Sequence, residues 1–232
     1  MEAAALLLFV AGIVAMDTSS GPQCLISEPV VSCTILGILF GNPEMGLKMG
    51  VLFQLLWLGY MPLGAVRLTD GNMGAFIAVA SMLSASVLFG FGSDQLLAAE
   101  VPSMLYAVLV AHIGMLMTTG LRKLNRIRND TVRAQLAGGE TVSITSTQLK
   151  GIASSFIRGL LMAVFLIPAG ILLIGFIRYI PPAALTALVF TSLLIWGTVA
   201  ASAMIFFWLK GRKRNLILGS IGGFVWMLLF SL

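Results

Sequence analysis

Long apolar runs separated by short polar segments dominate the chain. Five stretches, residues 49–66, 73–92, 101–120, 151–177 and 179–209, reach or approach the roughly 20 apolar residues a helix needs to cross a bilayer. A sixth, residues 215–232, is 18 residues without a charge. Two shorter runs, 3–16 and 29–43, hold 14 and 15 residues and are marginal for crossing alone. Between them, Asp17-Thr18-Ser19-Ser20-Gly21-Pro22-Gln23 is polar and helix-breaking, a backbone that lipid does not tolerate. Spacing leaves two arrangements open: an extramembrane loop between tilted helices, or paired short helices of the kind that point to a transporter binding site. The pattern predicts an all-α, polytopic integral membrane helix bundle. It forms one transmembrane domain over residues 1–232, with about six full spans plus two short or re-entrant helical segments.

Composition narrows the class. The chain is 59% hydrophobic and 10% charged, against about 25% charged in soluble domains, and its mean hydropathy is +1.02. These values exclude a water-soluble globule and a disordered chain. The net charge of +5 does not point to nucleic acid, because ten of the fourteen Lys and Arg fall in residues 122–150 and 210–214. Short basic segments beside apolar runs follow the positive-inside rule, so 121–150 is expected as a cytoplasmic basic loop with 210–214 on the same side. The runs between them then form a hairpin turning outside at Arg178-Tyr179-Ile180-Pro181-Pro182, which places 93–100 outside and 64–71 toward the cytoplasm. Cys24 and Cys33 are too few for a disulfide scaffold or zinc site and are expected as buried free thiols. Glu2 stands where a secretory signal would carry basic residues, so no signal peptide is expected.

Several motifs carry no chemistry. Gly41-Asn-Pro-Glu-Met-Gly46-Leu47-Lys48 approaches a phosphate-binding loop, but Leu47 intervenes before the lysine and no Ser or Thr follows it. Gly90-Phe91-Gly92 begins a dinucleotide pattern that Gln95 breaks. Asn129-Asp130-Thr131 is a glycosylation sequon in a segment expected in the cytoplasm, where it means little. His112, the single histidine, has no fixed carboxylate or cysteine partner, so a neutral imidazole bonded to a neighbouring helix is favoured over a relay or metal ligand. Gly37, Gly41, Gly46 and Gly50 read as close helix packing.

The informative region is 54–72. Gln54 lies in an apolar run that breaks at Gly59, and Arg67, Thr69, Asp70, Gly71 and Asn72 follow before the next run. Such a cluster is costly at membrane depth unless it faces water or a ligand. Asp70 and Asn72 are also strong helix-capping types. Carboxylate, amide and guanidinium groups together suit a polyhydroxylated ligand, whose hydroxyls both donate and accept. Because Asn caps about as well as Asp, Asp70→Asn is expected to separate capping from ligand binding.

The run Pro29-Val-Val-Ser-Cys33-Thr34-Ile-Leu-Gly37, with Gly41, Gly46, Gly50, Leu58-Gly59-Tyr60-Met61, Gly64-Ala65 and Asp70, resembles the mannose/sorbose-type enzyme IIC subunit of bacterial phosphotransferase systems. The match is densest over 29–80. The resemblance implies a multi-pass protein of the bacterial cytoplasmic (inner) membrane that binds and translocates a hexose beside an enzyme IID subunit, in an oligomer. A cytoplasmic IIB subunit, charged by IIA, would phosphorylate the sugar, so no catalytic residue, cofactor or metal is expected in this chain. Asp70, Asn72 and Gln54 would hold the sugar, helped by Gln23. The chain departs from the family's usual residues at Gln54 (Glu), Pro62 (Asn), Thr69 (Pro), Glu28 (Arg) and Val51-Leu52 (Gly-Thr). Two other readings stay open: a membrane anchor or regulator that no longer transports, and an ion-coupled secondary transporter using Asp17, Glu28 or Asp70.

Overall fold

A computed structural model describes residues 2–21, 23–58 and 69–209. The breaker at 59–65, Arg67, the basic cluster 210–214 and the run 215–232 lie outside the described residues. The described residues form helices and no strands. We number the α-helices α1 (Glu2–Ser19), α2 (Pro29–Leu39), α3 (Pro43–Trp57), α4 (Gly71–Phe89), α5 (Ser93–Ala98), α6 (Glu100–Ala137), α7 (Ile144–Gly175) and α8 (Pro182–Leu209); a 3₁₀ turn, Phe176–Tyr179, follows α7.

Among the described residues four stretches are long and apolar enough to cross a membrane: α4, α5 with α6, α7 with its 3₁₀ turn, and α8 through Ala203. The expected count of about six is therefore met only in part. The run 49–66 does not form one described span, because its helix begins at Pro43 and ends at Trp57. Pro43 sits in the first turn, where its missing N–H costs nothing, and Asn42 caps the helix through Met45 N at 3.1 Å. At 1.5 Å per residue, α2 and α3 are about 16 and 22 Å long, both short of a bilayer core of about 30 Å. They pack on each other as a hairpin, so the run 29–43 is a short helix and a turn. Gly46 closes that hairpin: a Cβ there would stand 2.4 Å from Cys33 O and 2.7 Å from Gly37 Cα. Gly41 does a different job, since it takes φ +72° in the turn and a Cβ on it would meet nothing within 4 Å.

The centre of the bundle is α4. Residues 73–83 are buried without a break, so the helix is apolar all round and is sheathed by α1, α2, α3, α6 and α7. Gly74 lets α4 approach α6, and Gly159 lets α7 approach α1 at Ala11 and Ala15. By contrast α8 is peripheral, resting mainly on α5 and α3.

The basic segment 121–150 is a helical hairpin rather than a loop. α6 runs straight through it to Ala137, turns at Gly138-Gly139 and Ser143, and returns as α7. Nothing in 121–137 breaks a helix, and Arg128 ties its two arms together through Ser154 Oγ at 2.8 Å and Lys150 O at 3.3 Å, steadied by Asn125 Oδ1 of its own helix at 3.2 Å.

Candidate functional site

The ends of six segments enclose a cavity of about 710 Å³, within the range of small-molecule sites. Its wall comes from the end of α1, the segment 20–28, the end of α3, Thr69 to Asn72, and the points where α6 and α7 leave the apolar bundle. All four residues expected from sequence line it: Gln23, Gln54, Asp70 and Asn72. They come from three places, the bend after α1, the end of α3 and the start of α4, which the fold brings together.

The segment between α1 and α2 owes its shape to Asp17. This buried carboxylate accepts from Cys24 N at 2.6 Å and Ser27 N at 2.9 Å, pinning the backbone on both sides of a tight bend. Gln23 and Leu25 take φ +53° and +65° there, a conformation that costs a non-glycine residue roughly 1–2 kcal/mol. Such irregular backbone is tolerated where it lines a polar cavity, as it does here. Contrary to expectation Cys24 is exposed, while Cys33 is buried.

Gln54 reaches back across the α2–α3 hairpin. Its Nε2 donates to Glu28 Oε2 at 2.7 Å, and its Oε1 accepts from Val30 N at 3.5 Å. Asn72 donates to Ser27 Oγ at 3.4 Å, leaving most of its capacity for a ligand. Asp70 is the cap of α4, accepting from Met73 N at 3.2 Å, and its own N–H donates to Ala111 O at 3.0 Å.

Arg158 is the residue that sequence reading missed. It enters from α7, 4% exposed, and donates from Nη1 to Asp70 Oδ2 and to Thr118 Oγ1 (2.6 Å), and from Nη2 to Ala15 O (3.3 Å). The glycine at 159 allows this, because it draws α7 onto α1 at Ala15. One guanidinium thus ties α1, α4, α6 and α7 together behind the cavity. Three polar atoms of the wall, Ser20 Oγ, Thr69 Oγ1 and Arg158 Nε, are buried without a hydrogen-bond partner among the described residues.

Gly114 on α6 makes the room that Asp70 occupies: a Cβ there would lie 2.7 Å from Asp70 Cβ and 3.3 Å from its carboxyl carbon. Gly114→Ala is therefore expected to cost about 1–3 kcal/mol by overpacking and to displace the Asp70 carboxylate. Gly120→Ala on the same helix, where an added Cβ meets nothing within 4 Å, should stabilise by about 0.4–1 kcal/mol. Thermal unfolding of the two purified variants checks the contrast.

His112 lies away from the cavity. It is exposed and its Nδ1 contacts Val108 O of its own helix at 2.7 Å, so the expected bond to a neighbouring helix is not made among the described residues. The lysine of the phosphate-loop decoy is used elsewhere: Lys48 pairs with Glu100.

The described residues thus form an apolar helix bundle with a polar cavity among the ends of its helices. Residues 1–231 match the family described as the phosphotransferase (PTS) system sorbose-specific IIC component, and the chain belongs to that family. The match extends the resemblance at 29–80 to nearly the whole chain. The sorbose-specific EIIC component of Lacticaseibacillus casei is 31% identical over 51 residues, a stretch covering 22% of this chain and 18% of that protein. Two solved structures share the fold. One is the mannose transporter ManYZ in complex with microcin E492, at TM-score 0.56 and 18% identity, over 99% of this chain and 95% of the other. The second, described as a membrane protein, has TM-score 0.63 and 19% identity, over 100% and 96%.

Proposed function

We propose that this chain is the sugar-binding and translocating IIC subunit of a mannose-type phosphotransferase system in a bacterial cytoplasmic membrane. The observation that carries the reading is the convergence of Gln23, Gln54, Asp70 and Asn72 on one cavity in a chain of the IIC family. Gln54, Asn72 and Gln23 hold sugar hydroxyls. Asp70 shapes the site from behind, with both carboxylate oxygens engaged by Met73 N and Arg158. A IID subunit completes the membrane assembly as an oligomer, and cytoplasmic IIB, charged by IIA, phosphorylates the sugar. The α6–α7 hairpin, with its basic residues, faces the cytoplasm.

The test is reconstitution. Proteoliposomes holding this chain and its IID partner should accumulate a hexose as its phosphate ester only when phosphorylated IIB is supplied on the hairpin side. In the same vesicles a cysteine at Asn129, in a chain whose Cys24 and Cys33 are replaced by Ser, should react with an impermeant reagent from that side alone. Uptake of unmodified sugar driven by an ion gradient, or by no partner at all, would contradict the proposal.

A further inference from the structure

Beyond the cavity mouth, a groove of about 380 Å³ runs along α6, lined by Arg122, Asn125, Arg126, Asn129, Asp130 and Arg133. Arg122 and Asn125 line the cavity as well, so the two spaces adjoin. At 100° per residue, Arg122, Arg126 and Arg133 fall within about 40° of one another on the helix, with Asn125 and Asn129 alongside. Arg128, on a different face, is spent on binding α7. Arg126 and Arg133 are exposed and make no hydrogen bond or ion pair among the described residues. Asp130 stands four residues after Arg126 and three before Arg133, a spacing at which opposite charges compensate, so the groove keeps a net charge near +2. The positive-inside rule accounts for the sign of this segment but not for the alignment of its arginines on one face.

We infer that this groove is an oxyanion site for a soluble phosphate monoester at the mouth of the cavity. Guanidinium groups match phosphate oxygens in a bidentate fork, and carboxamide N–H groups add neutral donors beside them. A lipid headgroup fits less well. The row extends about 17 Å along the helix from Arg122 to Arg133, whereas the headgroup layer is only about 5–8 Å deep on each side. Its function rests on the reading above: a sugar that leaves the cavity as a phosphate ester would meet this row first, and the row would draw the anion off the neutral-sugar site. Charge-lined clefts raise local anion concentration in this way.

The experiment titrates inorganic phosphate onto the chain assembled with its IID partner in phosphatidylcholine nanodiscs, followed by phosphorus NMR line width, with hexose binding measured on the same sample. Saturable phosphate binding is expected, weakened roughly tenfold or more in Arg126→Gln/Arg133→Gln. Hexose binding should be equal in the two proteins, because neither arginine lines the cavity. Replacing part of the lipid with phosphatidylglycerol should leave phosphate binding intact. Phosphate binding that is absent, indifferent to the substitutions or abolished by phosphatidylglycerol would overturn the inference. Phosphate binding as expected without hexose binding would leave the groove standing and remove the sugar-carrier reading instead.

Discussion

Asp70→Asn lowers the unfolding temperature of the purified protein before it touches affinity. The carboxylate and Arg158 are each about 4% exposed by side chain, and among the described residues no other carboxylate pairs with that guanidinium. Removing one partner of a buried pair leaves the other charged, buried and unmatched, at a cost of about 3–5 kcal/mol. In a chain of this size that is a fall on the order of 10 °C. Asn keeps the cap on Met73 N, so loss of the cap is not the cause. Substituting Arg158→Gln as well removes the stranded charge, and the double variant should unfold at a higher temperature than Asp70→Asn alone. Sugar binding would fall in the single variant partly because the site behind it has shifted. An unfolding temperature equal to wild type, with affinity alone reduced, would mean that the carboxylate serves the ligand and not the arginine.

A second large effect lies at the other end of the bundle. Glu100 is fully buried at the start of α6; Oε1 accepts from Lys48 of α3, and Oε2 from Ser192 and, at 3.1 Å, from Trp196 Nε1 of α8. Lys48 also sits 5.7 Å from the Trp196 ring centroid. This carboxylate holds three helices together, including the peripheral α8. The two partners differ in exposure, and the difference sets the order of effects. Lys48→Met strands a carboxylate with no solvent access and should cost about 3–5 kcal/mol. Glu100→Gln strands an ammonium that keeps 30% of its surface in contact with the surroundings, so its cost should lie nearer 1–3 kcal/mol. The double variant Lys48→Met/Glu100→Gln should be milder than Lys48→Met. Chemical denaturation in mild detergent ranks the three, and Glu100→Gln emerging as the worst would refute this account of the cluster.

Much of this architecture was legible before any coordinates. The apolar runs locate α4, α7 and α8, because a bilayer-length run of apolar residues has few other uses. The cluster at 54–72 identified Gln54, Asp70 and Asn72 by their cost in an apolar setting. Helix ends were less legible. Residues 121–137 were expected as a loop because they are polar, yet polarity does not stop a helix; the stop is Gly138-Gly139. The start of α3 was missed because Pro43 and Glu44 interrupt the apolar pattern while being good first-turn residues. Arg158 was hidden by averaging, a single charge within the 27 residues of 151–177. The rule that an ionisable group at membrane depth is functional until shown otherwise would have found it, and Lys48 and Glu100 too. Their pairing with Asp70 and with each other could not be read from spacing, since the partners lie 88 and 52 residues apart.

The central claim is that the cavity holds a sugar through Gln54 and Asn72. Equilibrium binding of tritiated hexoses, sorbose and mannose among them, to the purified membrane assembly tests it most directly, with wild type compared with Gln54→Leu and Asn72→Ala. We expect saturable binding of at least one hexose, weakened roughly tenfold or more by each substitution in an assembly that still folds, since each removes hydrogen bonds from the cavity wall. Binding that is absent from the wild-type assembly, or equal in all three proteins, would contradict the account.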